Sequence, residues 1–398
     1  MHKTNFVLLA FLVFVVACNQ KASKKPYLLI PADTPRFTVS QEKDAAFLSG
    51  FYATRNNSVS LAVDTTFIIT LGNNREIRAT LSAVQKSDSS IFWKGYVEGD
   101  TMSAVLLTST QNILSGRIIT HGELFRIAFV TEGYYQVAKL DPIKLMDTLN
   151  DADIAVGLDN RMADNLLECN DPITAIDVLV VYTPAAEKGA GGVMGMRSLI
   201  DQSINLTNLS YQYSGVAQRI KLAHAEQITY TESFNSMTDR NSLQNPSDGI
   251  MDRVHTLRAL YNADIVVLIV ESLQAGVCGQ AYIQENINHA FAPFAFAVVK
   301  RACSADNLSF AHELGHIMGA RHTDDSGVLP FPWAHGHESN GYQTVMSKVP
   351  GSIRTTNFSN PAVKWANNNP TGVSAIRENF KVLNASAGVV TGFVCKSP

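Results

Sequence analysis

The sequence predicts an α/β domain on a mostly parallel sheet, preceded by a β-rich domain. Three observations point there. Up to about residue 140, short β-type runs alternate with turn signals. From Ile176 onward, nearly apolar runs alternate with helical patterns. The stretch from Asn19 to Glu168 has no cysteine, whereas four follow it. The 398 residues suffice for two or three domains with sizeable cores. At 46% hydrophobic and 17% charged, the composition excludes wholesale disorder, and a formal net charge of −3 offers nucleic acid no hold.

The N-terminus reads as a targeting segment over 1–18. Lys3 supplies its positive charge, and the apolar run Phe6 to Val16 is too short to span a bilayer. Val15-Val16-Ala17-Cys18, followed by Asn19-Gln20, resembles the lipobox of bacterial lipoproteins, in which the cysteine carries the lipid. The expectation is an exported outer-membrane or cell-surface lipoprotein, touching the membrane only through Cys18. Simple cleavage near Ala17 is the alternative and would give a released protein. Residues 19–36 are polar and read as a linker.

Over 37–145 the β-type runs include Ser58 to Val63, Thr66 to Leu71, Ile91 to Val97, Ala104 to Thr108, Ile113 to Ile119 and Leu124 to Val130. Turn signals such as Gly99-Asp100 and His121-Gly122 separate them, which predicts an antiparallel sandwich or barrel. Residues 146–171 are acidic and polar, a protease-accessible connection. The α/β domain occupies 172–398. Ile176 to Tyr182 and Ala263 to Val270 are apolar throughout, as strands buried on both faces are. Helices are expected over Val193 to Ser214 and Asp248 to Tyr261, and further strands over Ile220 to Tyr230 and Ala292 to Val299.

The stretch richest in chemistry is Ser309 to His322. His312 and His316 stand four apart, so a helix puts both imidazoles on one face, one turn apart. Glu313 falls beside them, placed to take a proton from a metal-bound water. Asp306 is the candidate N-cap, with Phe310, Leu314 and Ile317 facing the core. Gly319 can take positive φ, end the helix and return His322 toward the same metal. Three imidazoles and a water make a catalytic Zn2+ site with an open position. A structural Ca2+ is compatible with the sequence but not indicated by it.

This His-Glu-x-x-His-x-x-Gly-x-x-His pattern is the signature of the metzincins. Their Met-turn is matched by Thr344-Val345-Met346-Ser347, with Met346 24 positions beyond His322. Asp177 to Pro184, Ala263 to Leu268, Cys278-Gly279-Gln280-Ala281-Tyr282 and Phe358-Ser359-Asn360-Pro361 resemble the bacterial reprolysin-like peptidases, most of all the peptidyl-Asp metalloendopeptidase group. The resemblance implies a metzincin-like catalytic domain: a twisted mixed sheet, an active-site helix and a small C-terminal subdomain after Gly319. It also implies zinc-dependent hydrolysis of protein or peptide substrates, with Glu313 as general base. Substrate is expected along an edge strand near Ala292 to Val299, and 37–145 is expected to be prodomain-like, with a mature adhesive or substrate-recruiting module that stays attached as the alternative. A zinc-binding surface adhesin without activity is the alternative, as is an amidase acting on cell-wall peptides. The intact Glu313 speaks against the adhesin. Nothing in the sequence fixes an oligomeric state.

Two positions depart from the pattern. Thr323 stands where many relatives carry an aspartate after the third histidine, with Asp324 as a candidate substitute. Lys348 stands where astacin-like and serralysin-like members carry a tyrosine that can bind zinc. His335 and His337 read as loop histidines of the cleft rather than as a second metal site. Beyond Cys18, the four cysteines allow three pairings. The expected one is Cys278 with Cys303, stapling the segment before the motif, and Cys169 with Cys395, tying the two ends of the domain. Residues 19–168 hold no cysteine to cap the zinc, and Cys169, the candidate at the boundary, lacks the family's usual surrounding switch sequence and would leave Cys395 unpaired, so bulk or a carboxylate such as Asp164 or Asp171 is expected to hold the enzyme latent.

Overall fold

The computed structural model describes residues 26–33, 47–72, 75–145, 154–156, 175–339, 341–365 and 368–396. Nine strands form the first sheet: β1 (Leu29–Ala32), β2 (Phe47–Arg55), β3 (Thr66–Thr70), β4 (Glu76–Lys86), β5 (Ser90–Val97), β6 (Asp100–Thr110), β7 (Ile113–Thr120), β8 (Glu123–Thr131) and β9 (Tyr134–Leu140). All pairings are antiparallel, in the order β1-β2-β9-β8-β7-β6-β5-β4-β3. Tyr27 bridges Ile68 of β3, with Leu28 N donating to Ile68 O at 2.9 Å, so the two ends meet and close a barrel. Phe67, Ala79, Trp93, Val105, Leu107, Ile118, Phe125 and Val137 fill its interior.

Ser58 to Val63, expected as a strand, is irregular. Asn56 turns the chain through its own side chain, accepting from Ser58 N at 3.1 Å, and Asp64 adopts φ 63°. Local hydrogen bonding here overrides β propensity.

The second sheet has the order β10-β14-β15-β13-β11-β12, from β10 (Ile154–Val156), β11 (Ile176–Tyr182), β12 (Ile220–Gln227), β13 (Ile265–Val270), β14 (Gly279–Gln284) and β15 (Phe296–Lys300). All pairs are parallel except β14 with β15. Alternate side chains feed two cores. Val178, Val180, Val267 and Val299 face α2 (Val193–Ser214), α6 (Ser309–Ile317) and α7 (Asn379–Val390). Leu179, Val181, Val266 and Val298 face the opposite side, with Leu243 of α3 (Ser236–Gln244) and Leu257 of α4 (Arg253–Leu260). Two further helices are short, α1 (Pro184–Gly189) and α5 (Arg301–Ser304).

Two expectations are corrected here. The helix expected from Asp248 begins only at Arg253, because Gly249 takes φ 78° and Asp248 and Asp252 bond the backbone of Ile250 and Gly249. The strand expected near Ala292 to Val299 is β15, an inner strand between β13 and β14. Beyond it lies the rim strand β14, and β10, at the sheet edge, pairs along it, Ile154 opposite Tyr282 and Val156 opposite Gln284.

Candidate active site

Helix α6 starts without a side-chain cap. Leu308 precedes it at φ 57°, in the left-handed region, and Asp306 does not cap it. The Asp306 carboxylate instead pairs with Arg126 of β8 at 3.2 Å. Its C-terminus is a Schellman arrangement: Ala320 N donates to Gly315 O (2.8 Å) and Gly319 N to His316 O (2.9 Å), with Gly319 at φ 88°. That reversal lets His322 return to the face that carries His312 and His316.

The three Nε2 atoms converge, 3.1 Å from His312 to His322, 3.1 Å from His316 to His312 and 2.9 Å from His316 to His322. Each Nδ1 is turned outward by its own acceptor. His312 meets Val345 O at 2.7 Å, His316 meets Ala320 O at 2.9 Å, and His322 meets Asp325 Oδ1 at 3.1 Å. Such acceptors fix the tautomer that leaves Nε2 bare for a metal. Burial, then the positive charge of Arg354, the two neighbouring imidazoles and Lys348, hold the His312 pKa well below the ordinary histidine value. Nitrogens about 2.0–2.1 Å from a tetrahedral zinc stand about 3.3 Å apart, so the triad fits that ion with a small outward adjustment. Among the described residues this is the group of three His, Cys, Asp or Glu side chains with metal-binding spacing. His335 and His337 stay outside it; the His335 ring donates to His322 O at 2.9 Å.

Two glycines admit the rest of the site. A Cβ on Gly279 of β14 would stand 2.4 Å from Glu313 Oε1, so the fully buried Glu313 needs glycine on the rim strand. A Cβ on Gly315 would come 2.5 Å from Met346 Sδ, so Met346 packs directly beneath the helix that carries the imidazoles.

The departures after His322 resolve into two separate contacts. Asp325 orients His322, accepting from both its backbone N and its ring. Burial would raise the Asp325 carboxyl, but the His322 bonds and the nearby imidazoles hold it below the usual carboxylate range. Thr323 Oγ1 donates to Ser347 Oγ at 2.9 Å and so supports the turn below the triad. Asp324 is exposed and lies near Arg377 instead. Sequence reasoning did not assign these roles to Asp325, Thr323 or Gly279: Thr323 and Gly279 act on partners far along the chain, and Asp325, three residues beyond His322, carries no periodic signal.

Cys278 and Cys303 form a disulfide with Cα atoms 5.5 Å apart, joining the start of β14 to α5. Cys395 is also disulfide-bonded. Cys18, Cys169, Asp164 and Asp171 lie outside the described residues.

Residues 173–375 match the model of the reprolysin-like metallopeptidases of family M12B. The chain is 31% identical to a peptidyl-Asp metalloendopeptidase of Stenotrophomonas maltophilia, covering 74% of this chain and 72% of that one. It is 30% identical to a protein of the same description from Xanthomonas campestris pv. campestris, covering 73% and 70%. The solved metalloproteinase-II of Bacteroides fragilis overlaps it loosely, with a TM-score of 0.42 and 12% identity over 85% of this chain and 93% of that one. An active-site helix ending in a glycine turn, three imidazoles on one point and a methionine beneath them thus accompany similarity over most of the sequence, and the chain belongs to the reprolysin-like metallopeptidases of family M12B.

Proposed function

We propose that this metallopeptidase is a zinc-dependent endopeptidase whose ion is held by His312, His316 and His322, with Glu313 as general base. The convergence of three buried Nε2 atoms, each with its Nδ1 committed elsewhere, carries the reading. When bound, zinc supplies Lewis acidity toward water and the scissile carbonyl. Glu313 accepts the proton released as water attacks and returns it to the departing amine. Its burial beside Gly279 keeps bulk water from competing for that proton. The rim strand β14 offers backbone groups along which an extended peptide can lie, once β10 has left it.

Glu313→Ala should keep near-stoichiometric zinc by metal analysis while kcat/KM falls about 10²–10⁴-fold. His316→Ala should lose the zinc itself. Undiminished proteolysis by Glu313→Ala, or full zinc in His316→Ala, sinks the assignment.

The two relatives are named for aspartate, and we extend that preference to this chain. Its basis is the positive charge beside the triad. Arg354 is buried and grips Ser347 O from Nη2 at 3.0 Å, and Lys348 is the next residue along. Lys348→Met should reduce the preference for a peptide with aspartate at the cleavage site over its asparagine twin by about tenfold or more. An unchanged ratio removes Lys348 from the role. Export with a lipid at Cys18, and pairing of Cys169 with Cys395, belong to the same proposal; mass spectrometry of the mature N-terminus and non-reduced peptide mapping test them.

A further inference from the structure

We propose that the β-barrel is a standing subunit of the peptidase, held by a face that keeps it bound after the connection between them is cut. The case rests on which way the barrel's side chains point. Along β5 to β8 one set faces the barrel interior: Trp93, Val105, Leu107, Ile118, Phe125 and Ile127. On a freestanding barrel the alternate set would be polar. Here it is not. Phe92 and Leu106 belong to the same apolar core as α2 and the sheet of the α/β domain. Ile119 and Leu124, with Leu140 and Leu145, pack on the Cys278–Cys303 disulfide.

The polar side chains of this face are built in as well. Arg117 of β7 is 1% exposed. Its Nε donates to Asp306 O at 2.9 Å and its Nη2 to Arg354 O at 2.7 Å. Arg126 pairs with the Asp306 carboxylate, both side chains nearly buried. From the other side, Asp201 of α2 accepts from Thr110 Oγ1 at 2.7 Å and Ser89 Oγ at 2.9 Å, both on the barrel side. Separation would expose a row of apolar side chains on each partner. It would also strip hydrogen bonds from two guanidinium groups, Arg117 and Arg126, and two carboxylates. A severed connection removes none of these contacts; it removes only the tether, worth an effective concentration of about millimolar.

The barrel also reaches the floor of the active site. Arg117 holds the carbonyl of Arg354, and the Arg354 side chain holds the carbonyl of Ser347, next to Met346. A subunit that braces this turn is more than a plug to be discarded.

The test uses the full chain with Cys18→Ser and a site-specific protease sequence inserted between residues 146 and 153. Residues 1–149 then share no other cysteine with the rest of the protein. The cut also falls before β10, so β10 stays on the peptidase side. After complete cleavage, confirmed on a denaturing gel, size-exclusion chromatography at about 1 µM should show both fragments at the size of the uncut chain, as expected for a dissociation constant well below micromolar. Elution of two separate fragments without denaturant overturns the proposal. Phe92→Asp combined with Leu106→Asp should let the cut fragments separate. If that variant, once cut, stays together like the parent, the face named here is not what holds them and the proposal fails.

Discussion

Strands β4 and β7 belong to one barrel and follow the same alternation, but their outer faces differ. On β4, Ile77, Ala79 and Leu81 point inward while Glu76, Arg78 and Ser82 are exposed. On β7 every residue after the first is buried, because Arg117 and Ile119, which point away from the interior, lie against the peptidase. The difference teaches that half of this barrel was shaped by a neighbour. Alternation tells which side chains fill the barrel; the loss of alternation tells where something packs outside it.

The sharpest way to break this comparison is to remove one arginine from each strand. Arg117→Ala leaves the carbonyls of Asp306 and Arg354 without their buried donor and should destabilise the chain by about 3–5 kcal/mol. Arg78 is 65% exposed and stands 4.0 Å from Glu98, so Arg78→Ala should cost less than about 1 kcal/mol. Urea denaturation of the uncut chain measures both. Similar shifts would mean that the outer face of β7 carries no more of the fold than that of β4.

The same contrast explains what the sequence disclosed. The histidine cluster was legible because its parts are local: two histidines and a glutamate within one turn, then a glycine that reverses the chain. Helix α2 and strands β3, β5, β7, β8, β11 and β13 were legible from apolar patterning, whereas β2, β4 and β9 were not singled out. Asp306 was misread because an aspartate before a helix is the commonest cap, whereas here a cation from β8 claims it. The inner place of β15 was hidden because an apolar strand looks alike at the edge and inside the sheet; only the antiparallel β14 beyond it decides. After His322, Asp325 orients the imidazole and Thr323 holds Ser347, two contacts that a residue-by-residue match to the motif does not reveal.

A subtler test lies in the pH dependence of the docked face. Burial raises the Asp201 pKa above its ordinary 3.8, while hydrogen bonds from Thr110 and Ser89 and the charge of Arg197 act to lower it. A carboxyl with a raised folded pKa holds its proton more tightly in the folded than in the unfolded chain. Its contribution to stability is therefore fully present below about pH 3.8 and is lost as pH rises through the raised value. Asp201→Asn keeps the shape and cannot ionise. Measured as variant minus parent, the stability difference should move in favour of the variant from pH 4 to pH 8, by the smallest margin of the effects described. Glu98→Gln, on the solvent side of the barrel, serves as the matched control at each pH. If Asp201→Asn and its parent run parallel across that range, the Asp201 carboxylate pays no desolvation cost, and water reaches the face between barrel and peptidase.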